Sequence, residues 1–285
     1  VSAGDELRIR PLERADLPAV ATVSAAAFEF DITEPAQAQR WEERLAYLID
    51  TDPDGVFVAE RDGRVIGAAQ ALVRERLWCL SLLAVDPGVQ STGAGRALLE
   101  RTLGYGADLE GGLIVSSNDP RALRLYALAG FSLQPTFQAE GTVDRRALPR
   151  SNGAVRDGDE SDLEALADIS RRLRGAAHTS EVEFALRRGS RLLRLGDRGF
   201  CVVQPGHAVW LLTARDEDAA KALLWSALEG VGETDRPSIR WITGAQGWAV
   251  DVLLRAGLNL SAYGALGVRG RPGTLAPFIP SPPFA

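Results

Sequence analysis

Leu77-Trp78-Cys79-Leu80-Ser81-Leu82-Leu83-Ala84-Val85 runs directly into Asp86-Pro87-Gly88-Val89-Gln90-Ser91-Thr92-Gly93-Ala94-Gly95-Arg96. The first segment is almost wholly apolar, which predicts a central strand covered on both faces. Pro87 ends it, because proline has no N–H to give to a ladder. Ala97-Leu98-Leu99-Glu100-Arg101-Thr102-Leu103 then reads as a helix, closed by Gly104 and Gly106. A strand, a glycine loop and a helix in this order form an anion-binding unit. Gly93 and Gly95 accept backbone angles that other residues resist, and they expose main-chain N–H groups. The helix N-terminus adds free donors and the positive end of its dipole. The loop lacks the Gly-Lys-Ser/Thr ending of a nucleotide-triphosphate loop, since Arg96-Ala97 follows. It also lacks the G-x-G-x-x-G spacing of dinucleotide binders.

A second punctuated segment lies downstream. Gly112-Leu113-Ile114-Val115-Ser116-Ser117 predicts a short strand, and Asn118-Asp119-Pro120-Arg121-Ala122-Leu123-Arg124-Leu125-Tyr126-Ala127-Leu128-Ala129-Gly130-Phe131 a short helix over 119–129. Asp119 suits the N-cap, Pro120 the first helical position and Gly130 the stop. Ala122 and Tyr126 share one helical face.

Together these segments resemble the GNAT superfamily of N-acetyltransferases. Val85, Pro87, Gln90, Gly93 and Gly95 fall in register with V-x-P-x-x-[Q/R]-x-x-G-x-[G/A]. Asn118, Ala122, Tyr126, Gly130 and Phe131 match N-x-x-A-x-x-x-Y-x-x-x-G-F. The resemblance covers residues 5–145 and implies an acetyl-CoA-dependent enzyme. In it a primary amine, on a small molecule or a protein, attacks the thioester directly in a ternary complex, and no metal is needed. Leu83, Val85, Gln90, Ser91, Thr92, Gly93, Ala94, Gly95, Arg96, Asn118, Ala122 and Tyr126 are the implied contacts to acetyl-CoA. A backbone N–H near Leu82 to Val85 would face the carbonyl oxygen. Tyr126 is the implied general acid, and a phenol with a reference pKa near 10 is protonated at neutral pH. Some family members carry a glutamate six residues before the valine. Here Cys79 stands there, which leaves ordered water, backbone carbonyls or a carboxylate from elsewhere, with Glu29, Asp31 and Glu75 as candidates, to take the amine proton.

The rest of the first half predicts a strand at 7–10, a helix within 11–28 with Asp16 as cap, and a helix over 36–50. A hairpin over 55–60 and 65–74 and a last strand over 133–141 complete it. Residues 145–153 read as a polar linker. Beyond it the pattern restarts. Ala154 to Leu163 echoes Arg8 to Leu17, and Trp241 to Leu258 echoes the segment ending at Phe131. The expected fold is therefore α/β, with two GNAT-like domains, each a mixed, mostly antiparallel twisted sheet flanked by helices. The expected domains are 1–146, carrying the chemistry, and 154–285, degenerate and ending in a proline-rich tail. In the second, Asp218 replaces Gly93, Ala220 replaces Gly95, Ala245 replaces Asn118 and Leu253 replaces Tyr126. A carboxylate in the anion cradle would repel a pyrophosphate. The tail from Pro272 is expected to lie over a surface.

Composition sets the outer bounds. The 285 residues are 46% hydrophobic and 25% charged, which supports buried cores. No apolar run is long enough for a transmembrane helix, and the acidic opening Val1-Ser2-Ala3-Gly4-Asp5-Glu6 does not read as a signal peptide. The net charge of −6 argues against nucleic-acid partners. Residues 1–148 hold 15 Lys+Arg against 22 Asp+Glu, which would favour a cationic acceptor. Cys79 and Cys201 sit in apolar runs and read as reduced core cysteines of a cytoplasmic protein, monomeric or homodimeric. His178 and His207 lack metal-site spacing and read as surface or hydrogen-bonded histidines. The arginines from Arg171 to Arg194 read as a solvated face. A non-catalytic acyl-CoA-binding sensor is the rival reading. It would keep Gln90, Gly93 and Gly95 but have no use for Tyr126.

Overall fold

The computed structural model describes residues 6–89, 92–150, 153–204 and 208–285. The chain forms two units, Val1–Val73 with Trp78–Leu109, and Arg74–Leu77 with Glu110–Ala285. This division falls elsewhere than the polar stretch at 145–153, where the sequence suggests a linker. The strand, short helix and strand expected to finish the first half belong to the second unit.

In the first unit β1 (Arg8–Pro11), α1 (Leu17–Phe28), α2 (Pro35–Thr51), β2 (Val56–Arg61), β3 (Arg64–Arg74), β4 (Leu77–Val85) and α3 (Ala94–Tyr105) follow the expected order. The strands are ordered β1-β2-β3-β4. Arg61 pairs with Arg64, so only Asp62 and Gly63 turn the hairpin. Both have positive φ, 52° and 73°, as the right-handed twist of a two-residue hairpin requires. Trp78 is fully buried and donates from its indole to the Thr102 carbonyl at 2.9 Å. A Cβ on Gly106 would come within 2.5 Å of that ring, so glycine at the end of α3 lets the helix pack on β4. Gly104 does not end α3 but lies inside it.

The second unit contains β5 (Gly111–Ser116), α4 (Pro120–Leu128), β6 (Ser132–Glu140), β7 (Arg156–Gly158), α5 (Leu163–Arg174), α6 (Thr179–Arg187), β8 (Arg191–Arg194), β9 (Gly199–Val203), β10 (Leu211–Ala214), α7 (Glu217–Glu229), β11 (Ser238–Thr243), α8 (Gly247–Arg255), β12 (Asn259–Gly270) and β13 (Phe278–Ile279). From β7 to β12 the order of strands and helices repeats that from β1 to β6. The echo in sequence has a local cause. Asp16 accepts from the Glu13 N–H at 2.9 Å, and Asp162 accepts from the Asp159 N–H at 3.2 Å. Each caps the short turn that opens its half. Asp16 is held further by Arg10, at 2.7 Å, rather than capping α1 itself.

The final strands of the two halves are exchanged. β12 pairs antiparallel with β5 on one edge and β6 on the other, and β6 pairs antiparallel with β11. The order is β5-β12-β6-β11. Each half's last strand thus lies beside the strand that precedes the short helix of the other half. A second sheet runs β13-β10-β9-β8-β7. Its core joins α7 and α8, through Leu223, Leu224, Leu228, Val252 and Leu253, to Cys201, Leu212, Ile239 and Ile242.

The tail differs from expectation. Phe278 and Ile279 pair with Thr213 and Leu212, and Leu275, Phe278, Ile279, Phe284 and Ala285 are buried. The prolines exclude a long element but leave room for a two-residue strand. Gln246 fixes the tail by donating to the Leu275 carbonyl at 2.7 Å and accepting from the Phe278 N–H at 3.0 Å. Arg174 departs from the expected solvated face. It is fully buried and donates to the carbonyls of Ala176 (3.1 Å), Phe284 (2.6 Å) and Ala285 (3.1 Å). The buried Glu181 carboxylate lies 3.4 Å from it and accepts from Arg74 at 2.5 Å. The charge is tolerated because its donors are satisfied. His178 is buried beside it, 3.0 Å from Ser170 Oγ and 3.0 Å from the Ala285 carbonyl. His207 lies outside the described residues.

Burial, and then the Arg174 charge, hold His178 well below its ordinary value of 6.5. The folded state therefore binds this proton more weakly than the unfolded chain. Stability is full above about pH 6.5 and falls as pH drops below it, by up to about 1.4 kcal/mol per pH unit. Urea unfolding between about pH 7 and 5.5 should show this slope in the wild type and its loss in His178→Gln. Equal slopes in both proteins would refute the assignment.

Candidate active site

The first unit builds the glycine loop from both ends. Leu82 and Ala84 are buried, whereas Leu83 and Val85 are half-buried against the cluster of Phe57, Ala59, Ile66, Ala69, Ala94 and Leu98. A Cβ on Gly67 would sit 3.0 Å from the Ala84 carbonyl and 3.1 Å from Leu98, so a bare glycine on β3 lets β4 and α3 close up there. Asp86 fixes the departure of the chain. Its carboxylate accepts from the Gly88 N–H at 2.9 Å and from Arg64 at 2.5 Å. Thr92 Oγ1 donates to the Val89 carbonyl at 2.8 Å. Gly93 then turns left-handed, φ 90°, and becomes the N-cap of α3, its carbonyl accepting from the Ala97 N–H at 3.0 Å.

A Cβ on Gly93 would meet nothing within 4 Å, so glycine is needed there for its backbone angle and not for space. The N–H groups of Ala94, Gly95 and Arg96 open the helix and lack intrahelical acceptors. No acidic residue lies in this first turn. Ala94 is buried, and Arg96 is exposed and paired with Glu100 at 2.7 Å. Gln90 and Ser91 lie outside the described residues.

The second unit positions α4. Asp119 is the N-cap, its carboxylate accepting from the Arg121 N–H at 2.8 Å. The Arg121 side chain is the main reason that this carboxyl titrates below its usual range. At the other end Gly130 has φ 87°. The Gly130 N–H reaches the Ala127 carbonyl and the Phe131 N–H the Tyr126 carbonyl, both at 3.1 Å. This closing motif is the physical content of the Gly-Phe pair. α8 ends likewise, with the Leu258 N–H bonded to Leu253 and Gly257 at φ 86°.

Ala122 is half-buried and Tyr126 is buried. Burial, and then the charge of Asp119, raise the Tyr126 phenol well above its ordinary 10. Long helical side chains lean toward the helix N-terminus. Asp119, at the N-terminal end of α4, lies within electrostatic reach of the Tyr126 hydroxyl. Asn118 makes a contact that the sequence does not announce: its side-chain oxygen accepts from the Gly264 N–H on β12.

The three carboxylates suggested as bases lie in different surroundings. Glu29 is exposed, at the left-handed C-cap of α1. Asp31 is exposed and is pulled below its usual range by the Thr33 N–H, its acceptor contact at 2.7 Å. Glu75 accepts from Arg171 at 2.9 Å and from the Ala177 N–H at 3.3 Å. Cys79 is a buried thiol. Among the described residues no three His, Cys, Asp or Glu side chains gather as a metal site. No helix among them is long and apolar enough to cross a membrane.

Residues 18–131 match the acetyltransferase (GNAT) family model. A mycothiol acetyltransferase of Amycolatopsis mediterranei is 33% identical over 136 residues, 42% of this chain and 44% of that protein. The chain spans less than half the length of the curated relatives it matches. In fold it is similar to a presumptive acetyltransferase from Pyrococcus horikoshii, with a TM-score of 0.80 at 17% identity over all of this chain and 96% of the other. It is also similar to a tandem GNAT protein from the clavulanic acid biosynthesis pathway, with a TM-score of 0.63 at 14% identity over 93% and 98% of the two chains. Residues 18–131 thus carry a GNAT acetyltransferase domain, and the chain has the fold of a tandem GNAT protein.

Gly93, the N-cap of α3, and Gly104, inside the helix, give opposite expectations. Gly93→Ala should destabilise by about 1–2 kcal/mol in urea unfolding, because its φ is unfavourable for an L side chain. Gly104→Ala, inside the helix and with nothing within 4 Å of the added Cβ, should stabilise by about 0.5–1 kcal/mol. Equal effects would show that the turn at Gly93 is misassigned.

Proposed function

We propose that this chain moves the acetyl group of acetyl-CoA to a primary amine by direct attack in a ternary complex. The observation that carries the reading is the left-handed Gly93, which aims the chain into the acid-free N-terminus of α3 directly after β4. Its open main-chain donors suit a pyrophosphate. Acetyl-CoA supplies the thioester. Leu83, Val85, Gln90, Ser91, Thr92, Gly93, Ala94, Gly95, Arg96, Asn118, Ala122 and Tyr126 are the residues we assign to its binding. The amine nitrogen bonds to the acetyl carbon, the C–S bond breaks, and the sulfur leaves with its electron pair. Tyr126 gives that sulfur a proton, and the proton that the attacking nitrogen sheds as the amide forms returns through water to the Tyr126 phenolate. Its raised pKa keeps the phenol protonated across the working pH range, so loss of this acid does not limit rate below about pH 10. Bulk water takes the ammonium proton before attack. The match to a mycothiol acetyltransferase covers too little of that protein to carry its substrate across.

One acetyl-CoA should bind per chain. In the second half Asp216, Glu217 and Asp218 crowd the start of α7, and Asp216 takes the Ala219 N–H at 2.9 Å. The edge of β10 is already paired by β13. Calorimetry should therefore give one site, lost in Gly93→Asp, and two equal sites would overturn the reading. Thiol release from acetyl-CoA with a panel of amines tests the activity itself. In Tyr126→Phe kcat should fall about 10²–10⁴-fold with little change in acetyl-CoA affinity. Wild-type turnover in a folded variant, with chemistry rate-limiting, would remove Tyr126 from the mechanism.

A further inference from the structure

Two irregularities in the exchanged sheet face the start of α4. β11 shifts register between Ile239 and Ile242, where Trp241 takes a left-handed φ of 57°. β12 shifts register between Ala262 and Ala265, at Tyr263 and Gly264. A Cβ on Gly264 would lie far inside contact distance of the Ser116 carbonyl, so only glycine permits this approach. Two strands separate β11 from β5, yet Trp241 Nε1 donates to that same Ser116 carbonyl at 3.0 Å. The indole meets the Tyr263 ring edge to face, with centroids 5.5 Å apart. Thr136 holds the Tyr263 carbonyl and Asn118 holds the Gly264 N–H. Both rings remain partly exposed. A non-glycine residue held at positive φ is costly, and such strain persists only where the surroundings impose it.

We infer that the Trp241–Tyr263 pair, contributed by the second half, forms the wall against which the body of the acceptor amine lies, and that it selects aralkyl amines over polyamines. The inference rests on Tyr126 being the acid of acetyl transfer. The attacking nitrogen and the departing sulfur are bonded to the same acetyl carbon, so the acceptor lies within a few ångströms of the group that protonates the sulfur. By the general lean of long helical side chains the Tyr126 hydroxyl lies toward the N-terminal end of α4, within electrostatic reach of Asp119. Ser116 and Asn118, which lead into that end, are the residues engaged by Trp241 and Gly264. The acceptor's body must leave past these rings.

Their chemistry favours a flat apolar group. An aromatic group stacks on an exposed ring face. A second positive charge on the acceptor is disfavoured by Arg240, whose guanidinium already lies 4.9 Å from the Tyr263 ring centre. Arg240 also contacts Ser238 Oγ at 3.1 Å and Tyr263 Oη at 3.4 Å, and Glu140 lies 3.9 Å away. That long contact leaves the guanidinium only partly neutralised.

The test is steady-state acetyl transfer to phenethylamine and to spermidine by the full chain. The wild type should prefer phenethylamine in kcat/KM. Trp241→Ala should raise KM for phenethylamine about 10-fold and leave KM for acetyl-CoA unchanged. Trp241→Phe keeps a ring but loses the bond to Ser116, and should retain most of the preference. Arg240→Gln should improve spermidine selectively. Should Trp241→Ala fail to fold by circular dichroism, Trp241→Phe and Arg240→Gln decide the matter. A wild type that prefers spermidine, or variants that turn over with an unchanged ratio, would overturn this assignment alone. Acetyl-CoA binding without transfer to any amine would overturn the acetyltransfer reading, and this one with it.

Discussion

β12 depends on hydrogen bonds along both of its edges, and much of the second unit depends on β12. Every residue of a strand carries a donor and an acceptor that must be paired once water is excluded. β5 ends the run of strands that belongs, by order, to the first half, and its partner is the twelfth strand of the chain rather than the sixth. β6 in turn lies between β12 and β11. Neither half closes its own sheet, and removal of either final strand would leave edges of the other half bare. Such edges attract other chains.

The exchange has consequences for the chemistry. The short helix that carries Tyr126 begins at Asn118, and Asn118 is held by a backbone N–H of the second half. The strand leading into that helix is held at Ser116 by an indole from the second half. The second half thus holds the start of the helix that carries Tyr126, the acid we propose, and Asp216 caps the helix that corresponds to α3. It repeats the order of elements and the helix stops, including the Gly257 turn that matches Gly130. It does not repeat the free helix N-terminus, which Asp216 caps. Its central strand β10 is covered by the chain's own tail, and Gln246 locks that tail in place.

What was legible in the sequence was local. Pro87, Gly93, Asp119, Pro120 and Gly130 each act through the backbone of their own neighbourhood, and each stands where its conformational preference predicts. The hairpin at Asp62-Gly63 is of the same kind, whereas Asp16, expected to cap the first helix, caps the turn before it. Two loop positions, Gln90 and Ser91, are outside the described residues. The buried Arg174 was not legible, because an arginine among arginines reads as surface until distant carbonyls at 284 and 285 are brought to it. Trp241 and Tyr263 carried little signal. A Tyr-Gly pair inside a strand hints at a bulge, but not at what the bulge approaches.

The sequence by itself determined the elements, their order, the repeat and the residue types of the site, because propensity, capping and turn chemistry act over a few residues. Only the tertiary structure decided which strand completes which sheet. An antiparallel partner is chosen by complementary burial and edge pairing, and β6 and β12 offer the same kind of edge to β5. Local pattern cannot distinguish them. The choice of β12 brings Gly264 to Asn118 and Trp241 to Ser116. It thereby joins the second half of the chain to the start of the helix that carries Tyr126.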